Sequence, residues 1–515
     1  MHTIKFPIVT GKEKEKILAK GFRAMAQFHN IMVREAKRRL WHLQHDPEYQ
    51  RLKTEYGQAA DQKDTKRKEE IGKELDHLIK HYGLIEKDLW KYASVHQKKY
   101  PHLISSHQAQ EEASRVYQGV CDVLYGDGEE LHFKKWKDFH TIASKSWNGL
   151  RYYDPYHTEY YKKNLVPKYP NEIEYHGCQF KVKINWNDPY VKESMQHEIS
   201  YVQIAREMFP SGWRYYVILV LHGDAPVVKH QSKEGVAGLD PGVSTEAVVY
   251  DDHCKLIELA PDCKSYNRKI RILQNKIDRT KKMHNPQNYN EDGTIKKGKL
   301  QWKISKTCWR DKRKLTTLYR KKATYTKQSH ERQINELMKD ANIFILEEMN
   351  FKALQKRSKQ KTEKTDKTVE IEKKDGTKKE IRKNKRKRRF GASIQDRAPS
   401  SFVAILKRKC RQAGGAVIEV PTKEFKASQY DHSKDLYIKV PLSQRWKTIG
   451  NKMGEECRVQ RDLYSAFLLK NSNDQRSSPD RERCIKEFDG FVEHMNVCIE
   501  KIKQTNTGYP ACFGF

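Results

Sequence analysis

The chain has 515 residues, of which 37% are hydrophobic and 10% aromatic, which is enough apolar material to exclude disorder throughout. This length exceeds what a single hydrophobic core serves, and we expect roughly two to four domains. A formal net charge of +34 makes a compact fold repel itself, so we expect a polyanionic partner, in the first place a nucleic acid.

Targeting and redox signals exclude two further classes, secreted and membrane proteins. No stretch approaches the roughly 18 apolar residues of a membrane span, and the first residues, MHTIKFPIVTGKEKEK, lack the basic-then-apolar order of a signal peptide. The ten cysteines form no C-x-x-C pair, so they are predicted to be reduced and mostly structural. We therefore expect an intracellular protein without a membrane partner.

The first 230 residues change from strand to helical periodicity and back. Residues 1–10 alternate as a strand, residues 12–150 carry helical spacing, and residues 170–230 alternate again in GCQFKVKINW and WRYYVILVLHG. These patterns predict a small β-domain and a helical lobe inserted in it, over residues 1–11 with 160–232 and residues 12–159 respectively.

From about residue 234 strands and helices are mixed, which predicts an α/β domain. The expected elements in chain order are the strand VAGLD, the turn PGVST, the strand EAVVYD, long basic helices to about 340, a strand ending at Glu347, a helix over 399–413, the strand GAVIEVP, a helix that holds Asp462, and a last amphipathic helix over about 484–503.

Three acidic residues of this half each end or follow an apolar stretch: Asp240 in GVAGLDPGVST, Glu347 in ANIFILEEMNF and Asp462 in CRVQRDLYSAFLL. A carboxylate at the end of a buried strand is costly unless it is paired or bound to a metal ion. If the three elements converge, their carboxylates suit a two-metal site that cleaves phosphodiesters. Mg²⁺ is the expected ion, because it prefers hard oxygen ligands and completes its shell with water and substrate phosphate.

Each acid taken alone also has an ordinary explanation. The D-P-G turn at Asp240 is a common turn, and an Asp such as Asp462 in the first turn of a helix more often compensates the helix dipole. Glu347 and Glu348 point to opposite faces of a strand, so only one of them can join a site. Asn350, which follows closely, can hydrogen-bond a ligand carboxylate as a supporting residue. The metal site is therefore favoured only by the three contexts together.

The segment 352–389 is a low-complexity basic insertion between two of these elements. Asp375-Gly376 inside TVEIEKKDGTKKEIRK predicts a β-hairpin, and the run RKNKRKRR follows it. Because of its place between the acids, we favour a lid that contacts phosphates through Arg386 and Arg388. A solvated loop without a specific role and a nuclear localisation signal are the alternatives.

The helix-patterned segments 264–282 and 300–335 carry many cations that could contact phosphates. These cations include Arg268, Lys269, Arg271, Arg310, Arg313, Lys314 and Arg320. For any one of them a solvated helical face is the alternative. Trp302, Trp309 and Tyr319 could stack on bases, although packing in a core is the commoner use of such residues.

The motifs GLDPG, LEEMN and RDLYSA, in this order, resemble the three divided RuvC-type nuclease motifs of TnpB-like RNA-guided nucleases and compact type V CRISPR effectors. The stretch FGASIQDRAPSSFVAILKRKCRQAGGAVIEVPTKEFKASQ also matches the layout of that family between its second and third motifs. The resemblance is specific over about residues 234–470 and organisational over residues 1–230.

This resemblance implies an α/β fold, with an RNase H-like RuvC domain and a helical recognition lobe inserted in a small β-barrel wedge domain. It divides the second half of the chain into a RuvC-like core, a degenerate target-nucleic-acid-binding region and a C-terminal helical tail. The RuvC-like core would cover residues 233–424 and 455–472. The target-nucleic-acid-binding region would cover residues 425–454, and the C-terminal tail residues 473–515.

The resemblance further implies RNA-guided cleavage of double-stranded DNA beside a short flanking motif, with target choice left to base pairing. Asp240, Glu347 and Asp462 fall on the catalytic acids of the family, and Arg461 falls on a further family position beside the third acid. The implied cofactors are a guide RNA and two Mg²⁺ ions, for which Mn²⁺ can substitute. The implied location is a prokaryotic cytoplasm, at the nucleoid when DNA is bound, as a monomer or a homodimer.

One departure from the family concerns zinc. The family usually carries two C-x-x-C pairs between its counterpart of Ala427-Ser428-Gln429 and the third acid, but here His432 and Cys457 are the only His and Cys in that window. Two ligands are too few for a closed tetrahedral site, so we expect no zinc and a compact metal-free loop. A second departure is Tyr464, where the family has Asn.

Two other functions stay open from the sequence. An RNA-guided DNA-binding repressor with an inactive nuclease would lack at least one acid, and all three are present. A guide-independent, resolvase-like nuclease would not need so extensive a basic helical lobe. The sequence also leaves open whether such a nuclease belongs to a transposon or to a CRISPR system.

Overall fold

A computed structural model describes residues 1–62, 64–126, 128–144, 149–153, 170–226, 232–355, 364–372, 378–384, 390–441, 443–505 and 508–515. The chain divides into two compact units, unit 1 (Met1–Val228) and unit 2 (Lys229–Phe515). The division lies close to the change of periodicity near residue 233.

Unit 1 combines a helical part with short antiparallel strands. Its helices are α1 (Lys12–Gln44), α2 (Pro47–Asp61), α3 (Thr65–His81), α4 (Glu86–Gln97), α5 (Ser106–Tyr125) and α6 (Pro189–Ser194). Its strands are β1 (His2–Pro7), β2 (Thr141–Ser144), β3 (Leu150–Tyr152), β4 (Glu172–Tyr175), β5 (Cys178–Lys181), β6 (Ile199–Phe209) and β7 (Gly212–Leu221).

The strands of unit 1 form two sheets, in the orders β1-β7-β6-β2 and β3-β4-β5. The outer strands β1 and β2 do not pair with each other, so the described residues form no closed barrel, and the expectation of a β-barrel is corrected to open sheets. Instead, Ile8, directly after β1, forms an isolated antiparallel β-bridge with Val182, directly after β5. Both β2 and β3 come from residues that we had expected in the helical lobe over residues 12–159.

The helical part of unit 1 follows the apolar spacing of the sequence. Phe22 and Phe28 of α1 are fully buried, as are Ala109 and Ala113 of α5, and they share one core with the sheets. His29 Nδ1 lies 2.7 Å from Glu112 Oε1 inside this core. Most of the predicted helical lobe therefore shares its core with the sheets, and a small separate cluster of Leu52, Ala59 and Ile71 joins α2 to α3.

Unit 2 is built around one mixed sheet. Its helices are α7 (Cys263–His284), α8 (Lys306–Met338), α9 (Phe351–Gln355), α10 (Gly391–Arg397), α11 (Pro399–Gln412), α12 (Thr422–Phe425), α13 (Arg461–Lys470) and α14 (Arg481–Thr505). Its strands are β8 (Val236–Pro241), β9 (Thr245–Val249), β10 (Cys254–Glu258), β11 (Ile343–Glu347), β12 (Lys364–Glu372), β13 (Lys378–Asn384), β14 (Ala416–Val420), β15 (Tyr430–Asp431), β16 (Leu436–Tyr437), β17 (Trp446–Gly450) and β18 (Glu456–Gln460).

The central sheet of unit 2 has the order β10-β9-β8-β11-β14. The strands β10, β9 and β8 are antiparallel neighbours, whereas β11 runs parallel to both β8 and β14. Phe344 and Leu346 of β11 pack into the core on one face of the sheet, and Ile345 packs into the core on the other face. This two-sided burial explains the continuous apolar run that precedes Glu347.

The basic insertion contains the predicted hairpin strands, because β12 and β13 pair in antiparallel fashion. The predicted turn Asp375-Gly376 lies outside the described residues, as do Arg386 and Arg388. Among the helices that the structure describes, none combines the length and the apolarity needed to cross a membrane.

The contact between β8 and α13 requires a glycine at position 238. A Cβ atom on Gly238 would lie 1.9 Å from the Ala466 carbonyl oxygen and 2.5 Å from the Lys470 backbone nitrogen. Both atoms belong to the backbone of α13 and cannot rotate away as the end of a side chain can. The helix therefore lies directly against the strand.

We expect Gly238→Ala to destabilise unit 2 by about 1–3 kcal/mol, because the added methyl group must push α13 away from the sheet. Urea unfolding measures this change. Gly490→Ala is the matched control, since Gly490 lies in α14 with nothing within 4 Å of its Cβ position, and it should gain about 0.5–1 kcal/mol. An unfolding midpoint for Gly238→Ala that equals the wild-type value would contradict the close approach.

Candidate active site

Two of the predicted acids lie side by side at one edge of the central sheet. Asp240 is in β8, and Glu347 ends the neighbouring parallel strand β11. The strand register pairs Leu346 with Leu239, so the next residues along both strands are these two acids. Residues at the same level of parallel neighbours point to the same face, which here is the face of Gly238 and α13.

The third acid comes to this face on α13. Asp462 is the second residue of the helix, one turn before Ala466, which lies over Gly238. One helical turn spans about 6 Å, and the two strand residues from Gly238 to Asp240 span a similar length. Asp462 and Glu347 both act electrostatically on Asp240. The structure therefore brings together three acids that are far apart in the chain.

The pKa values of two of the acids are raised, and at Asp240 the neighbouring acids contribute to the rise. Burial, followed by the charges of Asp462 and Glu347, raises the pKa of Asp240 well above its ordinary range, and Arg461 and Arg445 oppose the rise. Burial also raises the pKa of Glu347, although the Ala427 backbone N–H opposes this by donating to Oε1 at 2.7 Å.

Asp462 is held by two arginines and a glutamine. Arg445 Nη1 lies 3.3 Å from Oδ2, Arg461 Nη2 lies 3.2 Å from Oδ1, and Gln460 Nε2 donates to Oδ2 at 3.4 Å. The open end of the hairpin of β17 and β18 brings all three together, because Trp446 pairs with Gln460 and, just outside the strands, the Arg461 N–H donates to the Arg445 carbonyl. Arg461 was singled out from the sequence as a neighbour of the third acid. Arg445 and Gln460 were missed, since only the hairpin register brings them close.

Two other residues of the second motif lie away from the acids. Glu348 is exposed, as its place on the opposite face of the strand requires. Asn350 is also exposed, and its side-chain oxygen accepts the Ala353 N–H at 2.9 Å at the start of α9. The structure therefore gives Asn350 a helix-capping contact and does not place it against a carboxylate of the candidate site.

The predicted phosphate-contacting cations lie on α7 and α8, which pack on each other. Those with exposed side chains are Arg268, Lys269, Arg271, Arg310 and Lys314, and those that are half-buried are Arg313 and Arg320. The aromatic residues Trp309 and Tyr319 of α8 are 39% and 46% exposed, so they are accessible to a partner.

Two short hairpins, β15–β16 and β17–β18, occupy most of the window in which the sequence lacks a zinc ribbon. His432 is buried there with Nδ1 2.8 Å from the Tyr464 hydroxyl, and burial lowers its pKa to about 4. Tyr464 is itself fully buried and packs with Phe467 and Phe488. The Tyr that replaces the family's Asn thus belongs to an aromatic core beneath the site.

Glu246 is a buried acid that sequence reasoning missed. Its side chain is 0% exposed, and neither carboxylate oxygen has a hydrogen-bond partner in the described part of the chain. Burial and the charge of Asp240 raise the pKa of Glu246 well above its ordinary range. Because Glu246 pairs with Pro241, it points away from the face of Asp240. An acid inside the run TEAVV was the signal that could have found it.

The donor set suits a hard divalent cation. Within the described ranges, no three His, Cys, Asp or Glu side chains are placed so that all of them could hold one metal ion. Mg²⁺ does not require three protein ligands, because it commonly binds through one or two carboxylates and completes its shell with water and phosphate. The pKa of Asp240 is raised by burial and then by the charges of Asp462 and Glu347, and such a cation would offset both effects. Asp240, Glu347 and Asp462 therefore fit Mg²⁺ by their chemistry.

The chain matches none of the known protein-family models, and no curated protein matches its sequence. Among solved structures it is similar to a cryo-EM structure of a Cas12f1–sgRNA–target DNA complex, over 92% of this chain and 99% of that one, at 11% identity and a TM-score of 0.41. A cryo-EM structure of a CRISPR–Cas12f ternary complex matches over 90% of this chain and 82% of that one, at 11% identity and a TM-score of 0.26. These values are low, so the proposal below rests on the residues of this chain.

We expect Asp240→Asn to stabilise unit 2 at neutral pH. The pKa of Asp240 is raised in the folded state, so its favourable contribution is complete below the unfolded-state pKa of about 3.9 and is lost as pH rises through the folded-state pKa. Asparagine carries no charge, so the variant does not lose this stability as pH rises. Its melting temperature should exceed that of the wild type by roughly 2–4 °C at pH 7.

Thermal unfolding between pH 4 and pH 8 measures this effect, and the difference should shrink towards pH 4. Glu348→Gln on the exposed face is the control, and it should leave the melting temperature unchanged within error. A destabilised Asp240→Asn variant at pH 7 would show that the carboxylate is not crowded as described.

Proposed function

We propose that this chain is an RNA-guided DNA endonuclease that uses Asp240, Glu347 and Asp462 as its catalytic acids. The observation that carries the proposal is the position of these acids, which are separated by about a hundred residues in sequence and lie on one face of one sheet. The motifs around them resemble RuvC-type nuclease motifs, and the net charge of +34 suits two nucleic-acid partners.

The proposed partners are a guide RNA and a double-stranded DNA target. We propose that base pairing selects the target next to a short flanking motif, while the protein supplies phosphate contacts. The exposed cations of α7 and α8, with Arg268 and Arg310 as examples, are the proposed contacts in unit 2. Unit 1 is the proposed recognition lobe and wedge, and residues 425–454 are the proposed target-binding region.

The proposed metal ligands are Asp240, Glu347 and Asp462, and Mg²⁺ would activate the attacking water and stabilise the leaving oxygen when bound. The residues around the acids prepare them for this use. The Ala427 N–H holds Oε1 of Glu347 in place. Arg445 and Arg461 hold the carboxylate of Asp462, and they add positive charge where a phosphate would approach.

In the central experiment the protein is co-expressed with the DNA that flanks its gene and is then purified. The RNA that is bound to the purified protein is sequenced. The recovered RNA then programs a plasmid-cleavage assay in Mg²⁺. We expect guide-dependent cutting by the wild type, and we expect Asp240→Ala to lower the rate by at least about 10³-fold while guide and target binding persist, because a metal ligand is lost.

Glu348→Gln serves as the matched control and should cut at the wild-type rate. Undiminished cutting by Asp240→Ala would remove the site assignment. Target binding without any cutting by the wild type would favour an RNA-guided repressor. Cutting that survives RNase treatment during purification would favour a guide-independent nuclease.

We also expect the purified protein to contain no stoichiometric zinc, because His432 is buried against Tyr464 and only one Cys lies in the same window. Elemental analysis measures this directly. Cys457→Ser should leave both cutting and the melting temperature unchanged. One zinc ion per chain would refute the metal-free interpretation of residues 425–454.

A further inference from the structure

Residues 509–515, here named the strap segment, lie against two parts of the candidate active site. The Gly514 carbonyl accepts the Trp446 Nε1–H at 2.8 Å, and the Phe513 carbonyl accepts from Gln460 Nε2 at 3.5 Å. Cys512 Sγ lies 3.9 Å from Ser244 Oγ, in the turn that follows Asp240. The strap segment thus contacts both the turn after the first acid and the hairpin before the third.

Aromatic side chains anchor the strap segment in unit 2. Phe513 is 3% exposed and belongs to the core that contains Leu463 and Ala466 of α13. Phe515 packs on it at 5.7 Å between ring centroids, and Tyr509 packs on Phe515 at 5.0 Å. This burial gives the strap segment a defined position against the hairpin of β17 and β18.

Gly514 approaches Arg445 so closely that it leaves no room for a side chain of its own. Gly514 has a φ of +84°, which side-chain-bearing residues adopt rarely, and a Cβ atom there would lie 2.5 Å from the Arg445 Cβ. The neighbouring atom is the Arg445 Cβ and not a flexible side-chain end, so a larger residue at position 514 must shift the strap segment, the stem of Arg445, or both. The guanidinium at the end of that stem lies 3.3 Å from Asp462.

We propose that the strap segment is a positioning element of the nuclease site, which sets the Arg445 side chain against Asp462. The proposal rests on the nuclease function proposed above and adds a contact that none of the three motifs contains. Gln460 reinforces the link, because its side chain bonds both the Phe513 carbonyl and Asp462, and its oxygen accepts the Leu463 N–H at the start of α13.

The position of Arg445 has two opposite consequences. Its positive charge beside Asp462 competes with a divalent cation for the carboxylate, so it weakens metal binding in the absence of nucleic acid. The same charge offers hydrogen-bond donors to a phosphate that approaches the acids, so it favours cleavage. Loss of the strap contact should therefore tighten metal binding and slow cutting at the same time.

The test compares Gly514→Ala with Gly508→Ala, whose Cβ position has nothing within 4 Å and whose residue precedes the strap segment. Mn²⁺ affinity is measured by electron paramagnetic resonance on the protein without nucleic acid, and cutting is measured in single-turnover reactions. We expect Gly514→Ala to bind Mn²⁺ about threefold more tightly and to cut about tenfold more slowly. Gly508→Ala should match the wild type in both.

Trp446→Phe is a second variant in case Gly514→Ala folds poorly. It removes the N–H that donates to the Gly514 carbonyl, together with part of the ring that packs on the core and lies under Arg458, and it should shift both quantities in the same directions by smaller factors. Thermal unfolding of every variant reports on the fold independently of metal and cutting.

A double-mutant cycle shows whether the strap segment acts through Arg445. In an Arg445→Ala background, Gly514→Ala should change neither Mn²⁺ affinity nor cutting any further, because the guanidinium group whose position it alters is gone even though the Cβ atom remains. Independent, multiplying effects of the two substitutions would overturn the proposal. So would weaker Mn²⁺ binding by Gly514→Ala, which indicates general loosening, or faster cutting, which indicates a blocking role.

The outcomes also separate the strap proposal from the proposed function. If the wild type cuts no DNA, the Mn²⁺ cycle still decides whether the strap segment positions Arg445. If the wild type cuts and the cycle shows no coupling, the strap proposal fails and the nuclease function stands.

Discussion

The close approach of α13 to β8 at Gly238 is the constraint on which the candidate site depends. A helix that crosses a strand at backbone contact distance leaves no room for a side chain, and it brings its first turn to the end of that strand. Asp462 lies in this first turn, and Asp240 lies at the end of the strand. Without this contact the third acid would be held away from the other two.

Crowding three carboxylates costs free energy, and the surrounding residues show how part of that cost is offset. The Ala427 N–H compensates Glu347, and Arg445 compensates Asp462. Both partners come from the stretch between the second and third motifs in which the zinc ribbon of the resembling family is absent. This stretch therefore contributes contacts to the acids, from the residue Ala427 ahead of the first hairpin and from Arg445 directly before β17.

The charge of the whole chain and the charge of the site have opposite signs. A net charge of +34 attracts polyanions over the surface, whereas the three acids would repel a phosphate that came near them. A divalent cation at the acids reconciles the two, and so do the guanidinium groups of Arg445 and Arg461 beside Asp462. The proposed endonuclease function accounts for both the positive surface and the negative site, because a nucleic acid would bind to the surface and be cut at the acids.

The sequence by itself determined the strands and helices that carry the acids, because apolar periodicity and turn residues are local signals. The strand that ends at Glu347 and the helix at Asp462 appear where the patterns place them, and β8 carries Asp240 and extends through Pro241 before the turn. Local signals predicted only a small β-domain, and the β-barrel implied by the resemblance is not formed by the described residues, because strand closure depends on pairing between distant segments. Only the tertiary structure decided which residues surround the acids: Arg445 reaches Asp462 through the register of a hairpin, Asn350 turns to a helix end, and Gly514 contacts Arg445 from far along the chain. Such contacts depend on strand register and on packing between remote segments, for which a single sequence carries no periodic signal.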